Sequence, residues 1–133
     1  MSFIHSIKNS NQSKPTESEL LILNVLWNKG QATVREVHET LIEQKESGYT
    51  TTLKLMQIMF DKGLVLRDDS SKTHIYKANV TKEDTRKLMM GKMINALFNG
   101  SSSQLVMQAL GNQQHSIEEL EQIQQLLNQL KKQ

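Results

Sequence analysis

Four histidines, fourteen carboxylates and a run of three threonines closely followed by a lysine are the groups in this chain best equipped for chemistry. The histidines do not converge: His5, His38, His74 and His115 fall in different predicted elements. His38-Glu39 opens an H-E-x-x-H zinc pattern, but Ile42 stands where the second ligand is needed. There is no cysteine, which excludes disulfides, thiolate nucleophiles, iron–sulfur clusters and cysteine-bound metal. Neither a phosphate-cradling glycine loop nor a G-x-S-x-G elbow occurs. The carboxylates mostly lie beside Lys or Arg on helix faces, where solvated pairing is the ordinary role. No nucleophile–base pair can be named, so the chain reads as a non-enzyme without metal or organic cofactor.

The threonine run has a different use. Tyr49-Thr50-Thr51-Thr52-Leu53-Lys54 can open a helix whose N-terminal N–H groups and hydroxyls bind phosphate oxygens. Threonine methyls match thymine methyls, and Lys54 can reach guanine or phosphate. The same residues also suit a plain cap, with Thr50 closing a core helix from Thr51 to Lys62. The net charge is only +2, but the positive excess sits in the middle of the chain, from about residue 50 to 100. A nucleic-acid surface needs local rather than total positive charge.

Such residues need elements to hold them. A chain of 133 residues fits one domain, or a small domain plus an appendage. With 5% aromatics and seven methionines, its core must be aliphatic and Met-filled. Met1 to Lys14 reads as a mobile tail. Thr16-Glu17-Ser18-Glu19 is a capping box opening a helix that Gly30 stops. Thr33-Val34-Arg35-Glu36 repeats the box, with Val34, Val37, Leu41 and Ile42 on one face and Gly48 ending the segment. A third helix runs to Gly63. The period then becomes two: Leu64–Arg67 and Thr73–Ala78 read as strands around the turn Asp68–Lys72, one hairpin that must lean on the helices. Thr81 with Asp84, Ser101 with Gln104, and Ser116 with Glu119 open three further helices, the second of them ending at Gly111. MSFIHSIK has no apolar signal region, and the longest apolar run, Leu20–Leu23, is far too short to span a membrane, so a cytoplasmic chain is expected.

Three short helices followed by a hairpin is the order of a winged helix-turn-helix, whose third helix enters the DNA major groove while the hairpin touches the flanking backbone. The expected class is mainly α with one β-hairpin. It divides into a tail (1–15), a winged-helix domain (16–80) and a helical dimerisation arm (81–133). The strings Glu19-Leu20 through Leu26-Trp27, Tyr49–Leu53, Asp61–Val65 and His74–Tyr76 resemble the penicillinase and methicillin-resistance repressor family (BlaI/MecI), collinearly from about Thr16 to Lys131. That resemblance implies a bacterial, homodimeric repressor on a palindromic DNA operator, relieved by a membrane sensor-protease. It places the DNA-reading stretch on Thr50, Thr51, Leu53 and Lys54, beside Tyr49 and Thr52. It places the wing on Arg67 to Tyr76, where Arg67, Lys72 and His74 are candidate contacts and Ile75 packs inward. The family often has Thr where Lys54 stands and Arg where Ile58 stands, so a different operator is implied. The copper-responsive branch ends in a cysteine cluster, which this chain lacks.

The arm carries more apolar surface than three short helices can cover within one chain. Met89, Met90, Met93 and Leu97, with Leu120, Leu127 and Leu130, are the candidates for burial across a two-fold; an intrachain bundle is the alternative. The family's cleavage bond aligns with Gln108-Ala109, whose side chains differ from the family's, so any cut is expected between Gly100 and Gly111. The competing function is a winged-helix protein–protein adaptor that does not read DNA.

Overall fold

A computed structural model describes residues 2–5, 14–44 and 46–133. The opening helix α1 (Glu17–Lys29) begins at Thr16, where both halves of the capping box form. The Glu19 N–H donates to Thr16 Oγ1 at 3.2 Å, and the Thr16 N–H donates to Glu19 Oε1 at 2.9 Å. Gly30 ends α1 at φ 86°, a left-handed conformation that a β-carbon would strain. The chain continues through β1 (Ala32–Thr33), α2 (Val34–Leu41, capped by Thr33), α3 (Tyr49–Asp61), β2 (Val65–Asp68) and β3 (Ile75–Ala78). Then follow α4 (Lys82–Phe98), α5 (Ser102–Asn112) and α6 (Ile117–Lys131).

The expected hairpin is the core of a three-stranded antiparallel sheet ordered β1-β3-β2. Two residues before α2 supply the extra strand, pairing Ala32 with Tyr76 and Thr33 with Ile75. On the other edge Ile4 pairs with Arg67 through both backbone bonds, at 2.9 and 3.2 Å. Phe3 stacks under Lys77, whose Nζ lies 4.4 Å from the ring centroid. Residues 2–5 are therefore placed on the sheet; Met1 and residues 6–13 of the expected tail lie outside the described residues.

Helices α1, α2 and α3 pack on this sheet around Ile22, Leu23, Leu26, Val37, Met56, Met59, Leu64 and Val65, all essentially inaccessible. Tyr76 supplies the inward side chain of β3; Ile75, expected inward, is only half-buried. Ile42 is another correction: α2 ends one residue before it, and its side chain is exposed. Helix α3 starts at Tyr49 with Gly48 as N-cap and no side-chain cap bond, so Thr50 is inside the helix rather than capping it. The Gly48 carbonyl accepts from the Thr51 and Thr52 N–H groups, at 3.1 and 3.3 Å, which completes the first turn without a hydroxyl.

Long-range polar bonds fix the helices to one another. Glu19, though charged, is buried, and Lys62 at the end of α3 reaches its Oε1 at 2.6 Å. Trp27 Nε1 donates to the Val80 carbonyl at 2.9 Å, tying α1 to the segment before α4. Thr85 is buried, and its hydroxyl donates to the Thr81 carbonyl at 2.8 Å. The first compact unit extends to Met89, inside α4, and the second runs from Met90 to Gln133. In the second unit, α5 continues through Gly111 to Asn112 before Gln113 turns extended.

Candidate nucleic-acid interface

Helix α3 has two faces with opposite duties. Thr52, Met56, Met59 and Phe60 point into the core, while Tyr49, Thr50, Thr51, Lys54, Gln57 and Ile58 are exposed and Leu53 is half-buried between them. Thr52 was expected on the exposed N-terminal end; instead it is buried, and its hydroxyl lies 3.0 Å from His38 Nδ1. A helix turns about 100° per residue, so three consecutive threonines cannot share one face. Thr50, Lys54 and Gln57 recur at helical spacing along the solvent side.

Beside this face runs a groove of about 550 Å³. Thr33, Val34 and Arg35 at the start of α2 form one wall, Tyr49, Leu53 and Gln57 of α3 another, and Lys72, Thr73, His74 and Tyr76 of the wing the third. Of the expected contacts, Tyr49, Leu53, Lys72 and His74 thus meet around one space, with Thr50, Thr51 and Lys54 on the adjoining helix face. Arg67 does not join them. Its guanidinium carbon sits 4.0 Å from the Phe60 ring centroid, and an Nη2 reaches Asp69 at 3.6 Å. The wing turn is set by Asp68, which accepts from the Ser70 hydroxyl at 2.6 Å and the Ser70 N–H at 3.0 Å. The Ser70 hydroxyl, with its N–H, holds the Asp68 carboxyl below its ordinary range.

Sequence reasoning missed Arg35 and Gln57 as wall residues, because α2 and the middle of α3 read as core helices. Arg35 alternates with the inward Val34 and Val37, a signal that it points outward. Tyr49 is held by two ring contacts: the His38 ring meets it edge-on at 5.6 Å, and the Arg35 guanidinium carbon lies 5.3 Å from its centroid. Among the described residues no group of three or more His, Asp or Glu is placed to hold a metal ion. No helix among them is long and apolar enough to cross a membrane.

The second unit carries a different surface. Neither α5 nor α6 has a buried residue, so these helices do not form an intrachain bundle with a buried core. Met90, Met93, Leu97, Leu120, Leu127 and Leu130 are all exposed, and Met89 is half-buried. Val106, Met107, Ile117 and Leu126 extend the exposed apolar surface. Gln108 and Ala109 lie exposed on α5.

Residues 15–129 match the family model described as penicillinase repressor. The chain is 22% identical over 111 residues to the penicillinase repressor of Staphylococcus aureus, covering 84% of this chain and 88% of that protein. It is 24% identical over 113 residues to the methicillin resistance regulatory protein MecI of the same species, covering 85% and 92%. Over 86 residues it is 34% identical to the transcriptional regulator BlaI of Mycobacterium tuberculosis, covering 64% and 60%.

Proposed function

The chain belongs to the penicillinase repressor family, a family of transcriptional repressors rather than enzymes, and we propose that it represses transcription as a DNA-bound homodimer in the bacterial cytoplasm. The observation that carries this reading is the solvent-facing side of α3, with Thr50, Thr51 and Lys54 standing beside the wing groove. A helix of this kind fits the major groove, and a wing beside it reaches the flanking phosphates. The exposed apolar residues of α4 and α6 support pairing of two arms. Burial there at roughly 25 cal/mol per Å² favours association, and two linked reading helices suit half-sites of a palindrome about 34 Å apart.

Relief follows from the same design. Cutting α5 near Gln108-Ala109, by the membrane sensor-protease that the resemblance implies, separates α6 from the DNA-binding unit. A single unit then loses the avidity of a paired one.

Selection of duplexes from a random-sequence library by the full-length protein, followed by sedimentation of the protein with the enriched duplex, tests both parts. The expected product is a palindrome bound by two chains. A protein that enriches no sequence is an adaptor rather than a repressor; one that enriches a single half-site as a monomer has no dimeric arm.

A further inference from the structure

We propose that Arg35 is a DNA-phosphate contact, held ready on the wall of the α3–wing groove by stacking on Tyr49; the inference rests on the DNA-binding reading above. The groove itself points to an anion. Its lining includes Arg35 and Lys72 on different walls and not one carboxylate, in a chain that carries fourteen. A phosphate lying along it meets positive charge from α2 and from the wing without an opposing acid.

Arg35 touches an aromatic ring but spends no donor on a carboxylate, whereas Arg67 pairs with Asp69 and Lys62 with Glu19. Among the described residues Arg35 forms no ion pair, either with the adjacent Glu36, which is occupied with the Thr33 N–H at 3.0 Å, or with Glu39 one turn along α2. The guanidinium therefore keeps its fork of donors for a ligand, the geometry that grips phosphate in two places.

Position is fixed without using those donors. Thr52, buried in α3, bonds His38; His38 meets the edge of Tyr49; Tyr49 offers its face to Arg35. Because Thr52 and Tyr49 in this chain of contacts both belong to α3, Arg35 on α2 is registered to the reading helix. Ordering the side chain before binding reduces the entropy lost on docking. Arg35 stands on α2, beside α3 rather than on it. With α3 in the major groove, its reach is to the sugar–phosphate strand at the groove's rim and not to base edges.

The test uses the full-length protein, the duplex it enriches and a scrambled duplex, with binding followed by fluorescence anisotropy across a salt series. Arg35→Gln removes the charge and shortens the polar end while keeping an uncharged donor on the same carbon stem. Loss of one phosphate contact makes the log–log salt slope shallower by about 0.9, which corresponds to roughly fivefold weaker binding near 0.15 M salt. Both duplexes should weaken by the same factor, leaving their ratio unchanged. Arg35→Lys should restore the slope but not the full affinity, since a point charge replaces the stacked fork. Wild-type slope and affinity for Arg35→Gln, with Lys54→Ala still losing the enriched duplex, would overturn this assignment and leave the DNA-binding reading standing. Relaxed sequence preference at one position with an unchanged slope would also overturn it, as the signature of a base contact. If the wild-type protein enriches no duplex, both readings fail together.

Discussion

Removing the Lys62 side chain tests whether α3 is held in place by a charge as well as by its apolar face. Glu19 is 2% exposed and Lys62 is 24% exposed, and their 2.6 Å contact joins the first turn of α1 to the end of α3. Lys62→Ala leaves a buried carboxylate whose remaining partner at that oxygen is the Thr16 N–H. Stranding one member of a fully buried pair costs 3–5 kcal/mol; with Lys62 a quarter in water, the screened cost is about 1–3 kcal/mol. Glu19→Gln retains an oxygen for the Thr16 N–H and lets Lys62 turn to solvent, so it should cost no more than about 1 kcal/mol. The double variant should then be more stable than Lys62→Ala alone. Urea unfolding at one fixed protein concentration measures all three, since oligomerisation shifts apparent stability. Lys62→Ala within about 0.5 kcal/mol of wild type, or a double variant less stable than Lys62→Ala, would refute the reasoning.

Four further outcomes are expected. Thr52→Val leaves His38 Nδ1 without its partner, costing about 1 kcal/mol in thermal unfolding and weakening operator and scrambled DNA alike, because the first turn of α3 loosens. Lys54→Ala should weaken the enriched duplex more than the scrambled one if it reads a base, by about 1–3 kcal/mol, as competition binding reports. Leu120→Asp with Leu127→Asp places charges on the exposed apolar side of α6 and should yield a folded monomer by sedimentation; an unchanged dimer rules α6 out of the interface. Acid should loosen the caps: the Thr33 N–H holds Glu36, and the Ser116 N–H holds Glu119, below the ordinary carboxylate range. Depressed folded values stabilise the chain above the unfolded pKa of about 4.3, and that contribution is lost as pH falls through the folded values. Circular dichroism should show a smaller loss of helix on acidification in Glu119→Gln, which has no carboxylate to protonate at that cap, than in wild type.

Local rules made much of the architecture legible. Thr16 with Glu19, Thr33 with Glu36 and Ser116 with Glu119 form complete capping boxes at the expected positions, because each needs partners only three residues apart. Gly30 and Gly100 end their segments at positive φ for an equally local reason. The order of helices and hairpin, and the resemblance those strings carry, sufficed for the fold class and the family. Departures begin where a residue's role depends on something distant in the chain. Thr52 shares the inward face of α3 with Met56 and Met59, and its buried hydroxyl is satisfied by His38, fourteen positions away. Arg67 is drawn to the Phe60 ring, and Ala32–Thr33 becomes a strand only because β3 arrives beside it. Glu19 and Lys62, separated by 43 positions, look like two solvated charges until α1 and α3 are packed together. A capping hydroxyl or a glycine turn is decided by the dihedral angles of a few adjacent residues. Which wall of a groove a side chain lines, and whether its charge is free or spent, is decided by packing that brings remote segments within a few ångströms.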